Sequence, residues 1–168
     1  MAATDADSSG ATSICCDPTR APIRYHWFRL DDEPTLMESF KALLADEPIS
    51  DFDRDRFVGE FRAKIRKAQE GRLRPIENVK GPMREETRLE LFEIRWRFEH
   101  GADGDLRVRA YHNEPKRLQL VEGSTIVGLH LHKKNVDDDA DVDALQDAEI
   151  ATASDRYFLG RTIDWGLQ

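Results

Sequence analysis

The sequence has little cysteine and no long apolar run, and each shortage excludes a class of protein. Its only cysteines, Cys15 and Cys16, are adjacent in a Ser/Thr/Asp-rich stretch, which offers neither a disulfide framework nor zinc-ligand spacing. No stretch approaches the roughly 18 apolar residues that a membrane span requires. The first residues lack the basic and apolar regions of a secretory signal. We therefore expect a cytoplasmic protein with no membrane partner, no bound metal and no cofactor.

Charge is present in quantity but is unevenly distributed along the chain. The 168 residues carry a net charge of −8, and 39% of them are hydrophobic, enough for one modest core. Residues 1–60 hold a net charge of −7, residues 61–134 of +6, and residues 135–168 of −7. A basic middle between acidic ends fits a local site for a polyanion. The alternative is that these Arg and Lys side chains only solvate helix and strand faces.

The spacing of apolar residues predicts a single α+β domain. We expect a disordered tail over 1–22, a domain over 23–160 and a short tail over 161–168, because the first segment is small, polar and aperiodic. Two N-terminal helices and a C-terminal helix should pack with a mainly antiparallel sheet of about four to five strands. The predicted helices cover about 35–47, 51–70 and 141–158, the predicted strands 23–30, 89–98, 106–113, 117–121 and 125–133, and the predicted loop 71–87.

Alternation within these strands predicts one apolar and one polar face of the sheet. In the strand over 89–98, Phe92, Ile94, Trp96 and Phe98 should face the two N-terminal helices. In the last strand, Val127, Leu129 and Leu131 should join that apolar face. The opposite face should then gather four arginines, a tyrosine, two histidines and one carboxylate, namely Glu93, Arg95, Arg97, Arg107, Arg109, Tyr111, His130 and His132.

This set of side chains suits phosphodiester chemistry without a metal ion. Cleavage of RNA by its own 2′-oxygen needs a base, an acid and cations that stabilise the pentavalent phosphorane. Arginine matches phosphate oxygens bidentately, and His, Glu and Tyr can move protons. The same face could instead bind RNA phosphates and stack bases without cutting them. His130 and His132 share a strand face, but no acidic cluster joins them, so we predict no metal site there.

The order of short motifs resembles the RelE/HigB superfamily of toxin–antitoxin ribonucleases, in particular its phage-related HigB-like branch. A long loop, Gly71 to Gly81, precedes the strand Leu91-Phe92-Glu93-Ile94-Arg95, which matches the branch's (Y/F)-E-L-R strand. An Arg-bearing strand, 106–111, follows. The next strand ends in His132-Lys133-Lys134, where the branch shows F-x-K-K, and the last helix carries Glu149-Ile150 and Arg156. The resemblance covers roughly residues 23–158.

The resemblance implies a RelE-like fold and metal-independent cleavage of translated mRNA on the ribosome, with a cognate helix-turn-helix antitoxin as partner. Arg95 and Arg107 match the family's strand arginines, and Lys133 and Lys134 match its Lys-Lys pair. The candidate roles are then as follows: Glu93 or His132 as base, Tyr111 or His130 as acid, Arg95, Arg107 and Arg109 as transition-state stabilisers, and Arg97, Lys133 and Lys134 as RNA-binding residues.

Two other interpretations remain open from the sequence. In the first, the chain keeps the RelE-like fold but is a non-catalytic binding module, encoded by a phage or mobile element, that contacts RNA or a host protein. The acidic ends and the long N-terminal extension favour this version. In the second, the chain is an unrelated α+β housekeeping domain whose arginines pair across strands with nearby glutamates.

Overall fold

A computed structural model describes residues 9–83, 89–101, 104–134 and 142–167, and these ranges contain three α-helices and six β-strands. The mixture confirms the predicted α+β class, with one strand more than expected. The helices are α1 (Leu36–Ala45), α2 (Asp51–Gln69) and α3 (Val142–Arg161), and the strands are β1 (Ile23–Trp27), β2 (Val79–Met83), β3 (Leu91–Glu99), β4 (Asp105–Asn113), β5 (Gln119–Leu120) and β6 (Gly123–Lys133). The first helix, α1, follows the strand β1 in the chain.

Side-chain caps set the starts of α1 and α2. Thr35 forms a capping box with Glu38: the Glu38 N–H donates to the Thr35 hydroxyl at 3.2 Å, and the Thr35 N–H donates to the Glu38 carboxylate at 2.7 Å. The Ser50 hydroxyl accepts the N–H of Asp53 at 3.0 Å at the start of α2. Such caps stabilise a helix by about 1 kcal/mol each, so local chemistry fixes where both helices begin.

The six strands form one mixed sheet in the order β1-β6-β4-β3-β2, with β5 pairing to β6. β1 runs parallel to β6, and the other neighbouring strands are antiparallel. The register places Glu93 opposite Tyr111, and Arg109 lies between Arg95 on one side and His132 on the other. Directly paired residues share a face of the sheet. The register therefore gathers these five side chains on one face.

A bulge in β6 changes the expected faces of its residues. Tyr111 pairs with His130, but the next residue of β4, His112, pairs with Gly128, which leaves Leu129 as the extra residue of the bulge. Leu129 consequently packs in the same cluster as Val127, whereas Leu131 lies in the cluster on the opposite face. The prediction for Leu131 is confirmed, but the prediction that Val127 and Leu129 also face the N-terminal helices is wrong, because the bulge interrupts the alternation.

Two apolar layers lie on opposite faces of the sheet. Under α1 and α2, the Phe61 ring stacks on Phe40 at a centroid distance of 4.1 Å and on Trp96 at 4.5 Å, as the sequence predicts for this face. Under α3, Ile150 packs in a second cluster with the buried Trp165. The second face is therefore partly covered by α3.

Arg156 fixes α3 to the sheet through four hydrogen bonds. Its guanidinium donates to the carbonyl oxygens of Leu129 at 2.7 Å and Phe28 at 2.8 Å, and to both carboxylate oxygens of Glu33 at 2.9 and 2.8 Å. Bidentate pairing of this kind is among the strongest side-chain interactions in proteins. It lowers the pKa of Glu33 to about 2, chiefly through the hydrogen bonds from Arg156.

Both segments predicted as tails contain ordered and buried residues where the structure describes them. Residues 14–16 and 18–20 form short 3-10 helices, and Ile14 and Cys15 are buried in the core under α2. At the other end, Trp165 is 1% exposed and packs against Tyr157 at a centroid distance of 5.3 Å. A few apolar side chains in polar segments are enough to hold both ends to the domain. Residues 1–8 and 168 lie outside the described residues.

The region between α2 and β3 also differs from the sequence prediction. Val79–Met83 forms β2 inside the predicted loop and pairs with β3, while residues 84–88 lie outside the described residues. The strand expected over 117–121 is a 3-10 helix followed by the two residues of β5. None of the helices in the described ranges has the length and hydropathy to span a membrane.

Candidate functional site

A cavity of about 220 Å³ lies on the sheet face that α3 partly covers. Strands β2, β3, β4 and β6 form its floor, and α3 forms one wall. Most of the polar side chains singled out from the sequence meet there, together with several that were not. The lining residues are Lys80, Met83, Glu93, Arg95, Arg109, Tyr111, His132, Lys133, Lys134, Leu145, Gln146 and Glu149.

Glu93 is the buried anion at the floor of the cavity. Its Oε1 lies 3.2 Å from Nε of Arg109 and 3.3 Å from Nε of Arg95. Arg109 also donates to the carbonyl oxygens of Trp96 at 3.2 Å and Val108 at 3.0 Å. Burial lowers the pKa of Arg109 to about 10, against the opposing effect of Glu93. Arg109 therefore stays cationic at neutral pH, and its orientation is fixed.

Three aromatic rings stand in a row beside these arginines. The rings of Tyr111 and His132 are nearly parallel, with centroids 5.4 Å apart and planes 12° apart, and those of His132 and His130 are 5.6 Å apart at 10°. His130 and His132 are two residues apart on β6, and their pairing with Tyr111 and Arg109 of β4 places both rings on the same face as Tyr111. The row gives the cavity a rigid wall that can hold a base or sugar ring.

Glu149 of α3 contacts both imidazoles of this row. Its Oε2 pairs with Nε2 of His130, and its Oε1 lies 3.9 Å from Nδ1 of His132. Burial nevertheless lowers the pKa of His132, so its ring is neutral at neutral pH. The Nε2 atom of His132 is buried and has no hydrogen-bond partner within the described part of the chain. His132 therefore offers a free basic nitrogen, whereas His130 is held by a carboxylate.

Tyr111 is the fully buried hydroxyl of the site. Burial, and next the negative charge of Glu93, raises the pKa of Tyr111 well above its ordinary value. Its hydroxyl lies near the Glu93 carboxylate, which contributes to the raised pKa, but it forms no hydrogen bond of normal geometry with the residues that the structure describes. The group therefore remains protonated and is available as a donor to a bound molecule.

Three lysines line the cavity, and they differ in how firmly they are held. Lys133 pairs with Glu47, which follows α1. Lys134 lies beyond the end of β6, and burial followed by the nearby Arg109 lowers its pKa. Lys80 sits on β2 opposite Glu93. With two arginines and three lysines against two glutamates, the cavity is a cationic site that suits an anion.

Three of the predicted site residues lie outside the cavity. Arg97 and Arg107 face each other across β3 and β4 beyond it, and Arg97 pairs with Asp105 while 63% of its side chain stays exposed. His130 belongs to the ring row but lines a neighbouring cavity together with Arg156. The structure thus brings seven of the ten predicted residues into one cavity and places these three at its margins.

Sequence reasoning missed the residues that α3 and β2 add to the site. Glu149 carried a signal, since it belongs to the motif of the last helix, but only the fold shows that it reaches the histidines. Lys80 fell in a predicted loop, and nothing local marks it as part of a strand. The interpretation of this site rests on its own geometry, because no family model, no curated protein and no solved structure matches the chain.

Proposed function

We propose that the chain is a RelE/HigB-like toxin, an endoribonuclease that cleaves translated mRNA on the ribosome without a metal ion. The observation that carries the proposal is the meeting of Arg95, Arg109 and Lys134 with His132 and Tyr111 in one cavity. The motif resemblance supports the other parts of the proposal, namely action on the ribosome and control by an antitoxin. In this proposal the protein acts in the cytoplasm, and a cognate helix-turn-helix antitoxin holds it inactive.

His132 is the base of the proposed reaction. Its lowered pKa keeps the ring neutral at pH 7, so Nε2 can take the proton of the 2′-hydroxyl as that oxygen attacks the adjacent phosphorus. The bond from phosphorus to the 5′-oxygen then breaks. The products are one RNA end with a 2′,3′-cyclic phosphate and one with a 5′-hydroxyl, which balances the atoms without adding water.

The cations and Tyr111 serve the other half of the reaction. Arg95 and Lys134 stabilise the charge that develops on the non-bridging phosphate oxygens, and Tyr111 donates its proton to the departing 5′-oxygen. Glu93 is a positioning residue in this scheme, because its carboxylate is engaged by two guanidinium groups. His130 is likewise a positioning residue, since Glu149 holds its Nε2.

The size of the cavity limits what enters it. At about 220 Å³ it is smaller than the roughly 300–1,000 Å³ of typical small-molecule sites, so it suits one phosphate and its sugar rather than a complete free cofactor. Arg97 and Arg107 continue the positive surface along β3 and β4. A polymer whose scissile phosphate enters the cavity would lay its neighbouring phosphates on these two arginines.

The experiment is induction of the chain in bacteria followed by mapping of RNA ends. We expect growth arrest and new 5′-hydroxyl ends within coding regions, and Arg95→Ala should reduce the cleavage about 100-fold or more, the usual effect of losing one stabilising group. Arg62→Ala is the matched control, because Arg62 is an exposed arginine of α2. Normal growth with intact mRNA at high expression of the wild type would contradict the proposal.

One observation favours a second candidate, a binding module without catalysis. Glu149 contacts both histidines, and Glu93 pairs with both arginines, so carboxylates hold several of the groups that would have to move protons in a cleavage reaction. In that case the purified chain retards RNA in gel-shift assays with a steep salt dependence but leaves it uncut. Arg97→Ala and Arg107→Ala would then weaken binding as much as Arg95→Ala.

A further inference from the structure

A second cluster of chemically active side chains lies away from the cavity. Cys15 comes from the first 3-10 helix, His112 from near the end of β4, and Glu114 from just after that strand. Each offers one donor atom, and the three atoms lie within 4.8 Å of one another. Cys15 and His112 are fully buried, and the Glu114 side chain is 5% exposed. The cluster belongs to the layer under α2, on the sheet face opposite the cavity.

We propose that Cys15, His112 and Glu114 bind a divalent transition-metal ion, with Zn²⁺ as the best match. The sulfur, nitrogen and oxygen donors are the types that Zn²⁺ takes in proteins. Glu114 supplies a carboxylate, and Cys15 becomes a thiolate when its sulfur binds the ion and releases its proton to solvent, so both groups neutralise the charge of a dication. Neither group has a role in the proposed RNA cleavage.

The donor spacing fits a tetrahedral ion. Bonds of about 2.0–2.3 Å place neighbouring tetrahedral donors about 3.3–3.6 Å apart. The sulfur of Cys15 lies 4.0 Å from Nε2 of His112, and that nitrogen lies 3.0 Å from Oε1 of Glu114. One separation is slightly longer and the other slightly shorter than required. All three donor atoms lie within 4.8 Å of one another, so side-chain movements of about 1 Å bring them to tetrahedral separations.

The surroundings of the cluster hold the ligands in place. The Ser13 hydroxyl and the Ile14 N–H, the latter at 3.0 Å, both donate to the Glu114 carboxylate, an arrangement that orients metal-binding carboxylates. In addition, Nδ1 of the fully buried His112 has no hydrogen-bond partner among the described residues. Nδ1 lies on the side of the ring away from Nε2, the proposed ligand, so it can donate its proton to a water molecule while Nε2 binds the ion.

The fourth ligand of the proposed site is a water molecule. Glu114 and Ile14 line an adjoining cavity, so a water molecule from that side can complete four-coordination. Bound in this way, the ion would join the segment around Cys15 to β4, two parts of the chain separated by 97 residues. The sequence predicts no metal site here, because the three ligands do not follow one another at a spacing typical of metal-binding motifs.

The test is metal binding by the full chain, first stripped with chelator and then dialysed against Zn²⁺. We expect one Zn²⁺ per chain by elemental analysis and a higher melting temperature with the ion. Cys15→Ser should abolish both, whereas Cys16→Ser should change neither. Cys16 is the matched control because its sulfur lies outside the cluster, near the carbonyl oxygen of Gly10.

A spectroscopic measurement on the wild type keeps the test decisive if Cys15→Ser does not fold. Co²⁺ in place of Zn²⁺ should give the thiolate-to-cobalt charge-transfer band and the strong visible absorption of a four-coordinate site. Absence of that band, substoichiometric Zn²⁺ in the wild type, or undiminished binding by Cys15→Ser would each overturn the proposal. None of these results bears on the cleavage of RNA, so the two proposals fail separately.

Discussion

Glu93 Oε1 lies 3.2 Å from Nε of Arg109, with only 4% and 5% of the two residues exposed. The same oxygen lies 3.3 Å from Nε of Arg95. One buried carboxylate therefore pairs with two guanidinium groups that both line the cavity, of which Arg109 is buried and Arg95 is partly exposed. This relationship couples the stability of the fold to the geometry of the site, because the Glu93 carboxylate both neutralises the buried charge of Arg109 and orients the two arginines.

Glu93→Gln should destabilise the fold by about 3–5 kcal/mol, because it leaves Arg109 buried without its counter-ion. Urea unfolding of the variant and the wild type measures the difference. Arg97→Ala serves as the control: it breaks the exposed pair with Asp105 and should cost at most about 1 kcal/mol. Equal decreases in the free energy of unfolding of the two variants would show that the buried ion pair stabilises the fold no more than the exposed pair.

Tyr111→Phe should separate stability from function. The Tyr111 hydroxyl is buried without a hydrogen-bond partner in the described part of the chain, so its removal should leave stability unchanged or raise it by about 1 kcal/mol. RNA cleavage should nevertheless fall about 100-fold, since the donor to the leaving oxygen is lost. Full cleavage by a stable Tyr111→Phe variant would remove Tyr111 from the reaction.

The sequence predicts much of the sheet because alternation in β3 and β4 is regular. Phe92 and Trp96 are buried under the N-terminal helices, and Glu93 and Arg109 lie on the other face, as predicted. Alternation fails in β6, where the bulge at Leu129 depends on the pairing with β4 and not on the strand's own residues. A pattern within one strand carries no information about such a register shift.

Local sequence patterns could not predict the parts of the site that come from segments distant in the chain. The position of α3 depends on Arg156 reaching Glu33 and the carbonyl oxygen of Phe28, contacts that span more than 100 residues. Unless the position of α3 is known, the sequence does not show that Glu149 contacts the histidines. The tail around Cys15 was misjudged for the same reason, since its burial depends on β4 and α2. The catalytic roles themselves remain predictions.

Two glycines of the long helices should respond oppositely to alanine. A Cβ at Gly59 of α2 meets nothing within 4 Å, whereas one at Gly160 of α3 would lie 2.3 Å from a ring carbon of Trp165. Gly59→Ala should therefore stabilise the fold by about 0.5–1 kcal/mol through helix propensity. Gly160→Ala should destabilise it despite the same propensity gain, because the buried indole must move. Thermal unfolding of both variants tests this difference in stability. A Gly160→Ala variant more stable than the wild type would contradict the packing of Trp165 against Gly160.

Glu33→Gln should cost about 1–3 kcal/mol at pH 7, with a defined pH dependence. Arg156 lowers the pKa of Glu33 from 4.5 to about 2, so the folded state favours the ionised carboxylate. The stabilisation is complete above about pH 5 and is lost as the pH falls toward 2. Unfolding of variant and wild type at several pH values should show the difference shrinking below pH 5.

The exposed Asp32→Asn is the control for that measurement, since Asp32 adjoins Glu33 but is exposed. It should leave stability nearly unchanged at every pH. A difference between Glu33→Gln and the wild type that stays constant down to pH 3 would contradict the assigned pKa shift, and with it the anchoring of α3 through an ionised Glu33.

The most direct test of the proposed reaction is the chemistry of the RNA ends made by the purified chain in a translating extract. If His132 activates the 2′-oxygen, every cut should leave a 2′,3′-cyclic phosphate and a 5′-hydroxyl, and a message with a 2′-deoxynucleotide at the cleaved position should stay intact there. His132→Ala should lose the activity while remaining folded. Ends bearing a 5′-phosphate, or cutting that persists at the 2′-deoxynucleotide, would contradict the account.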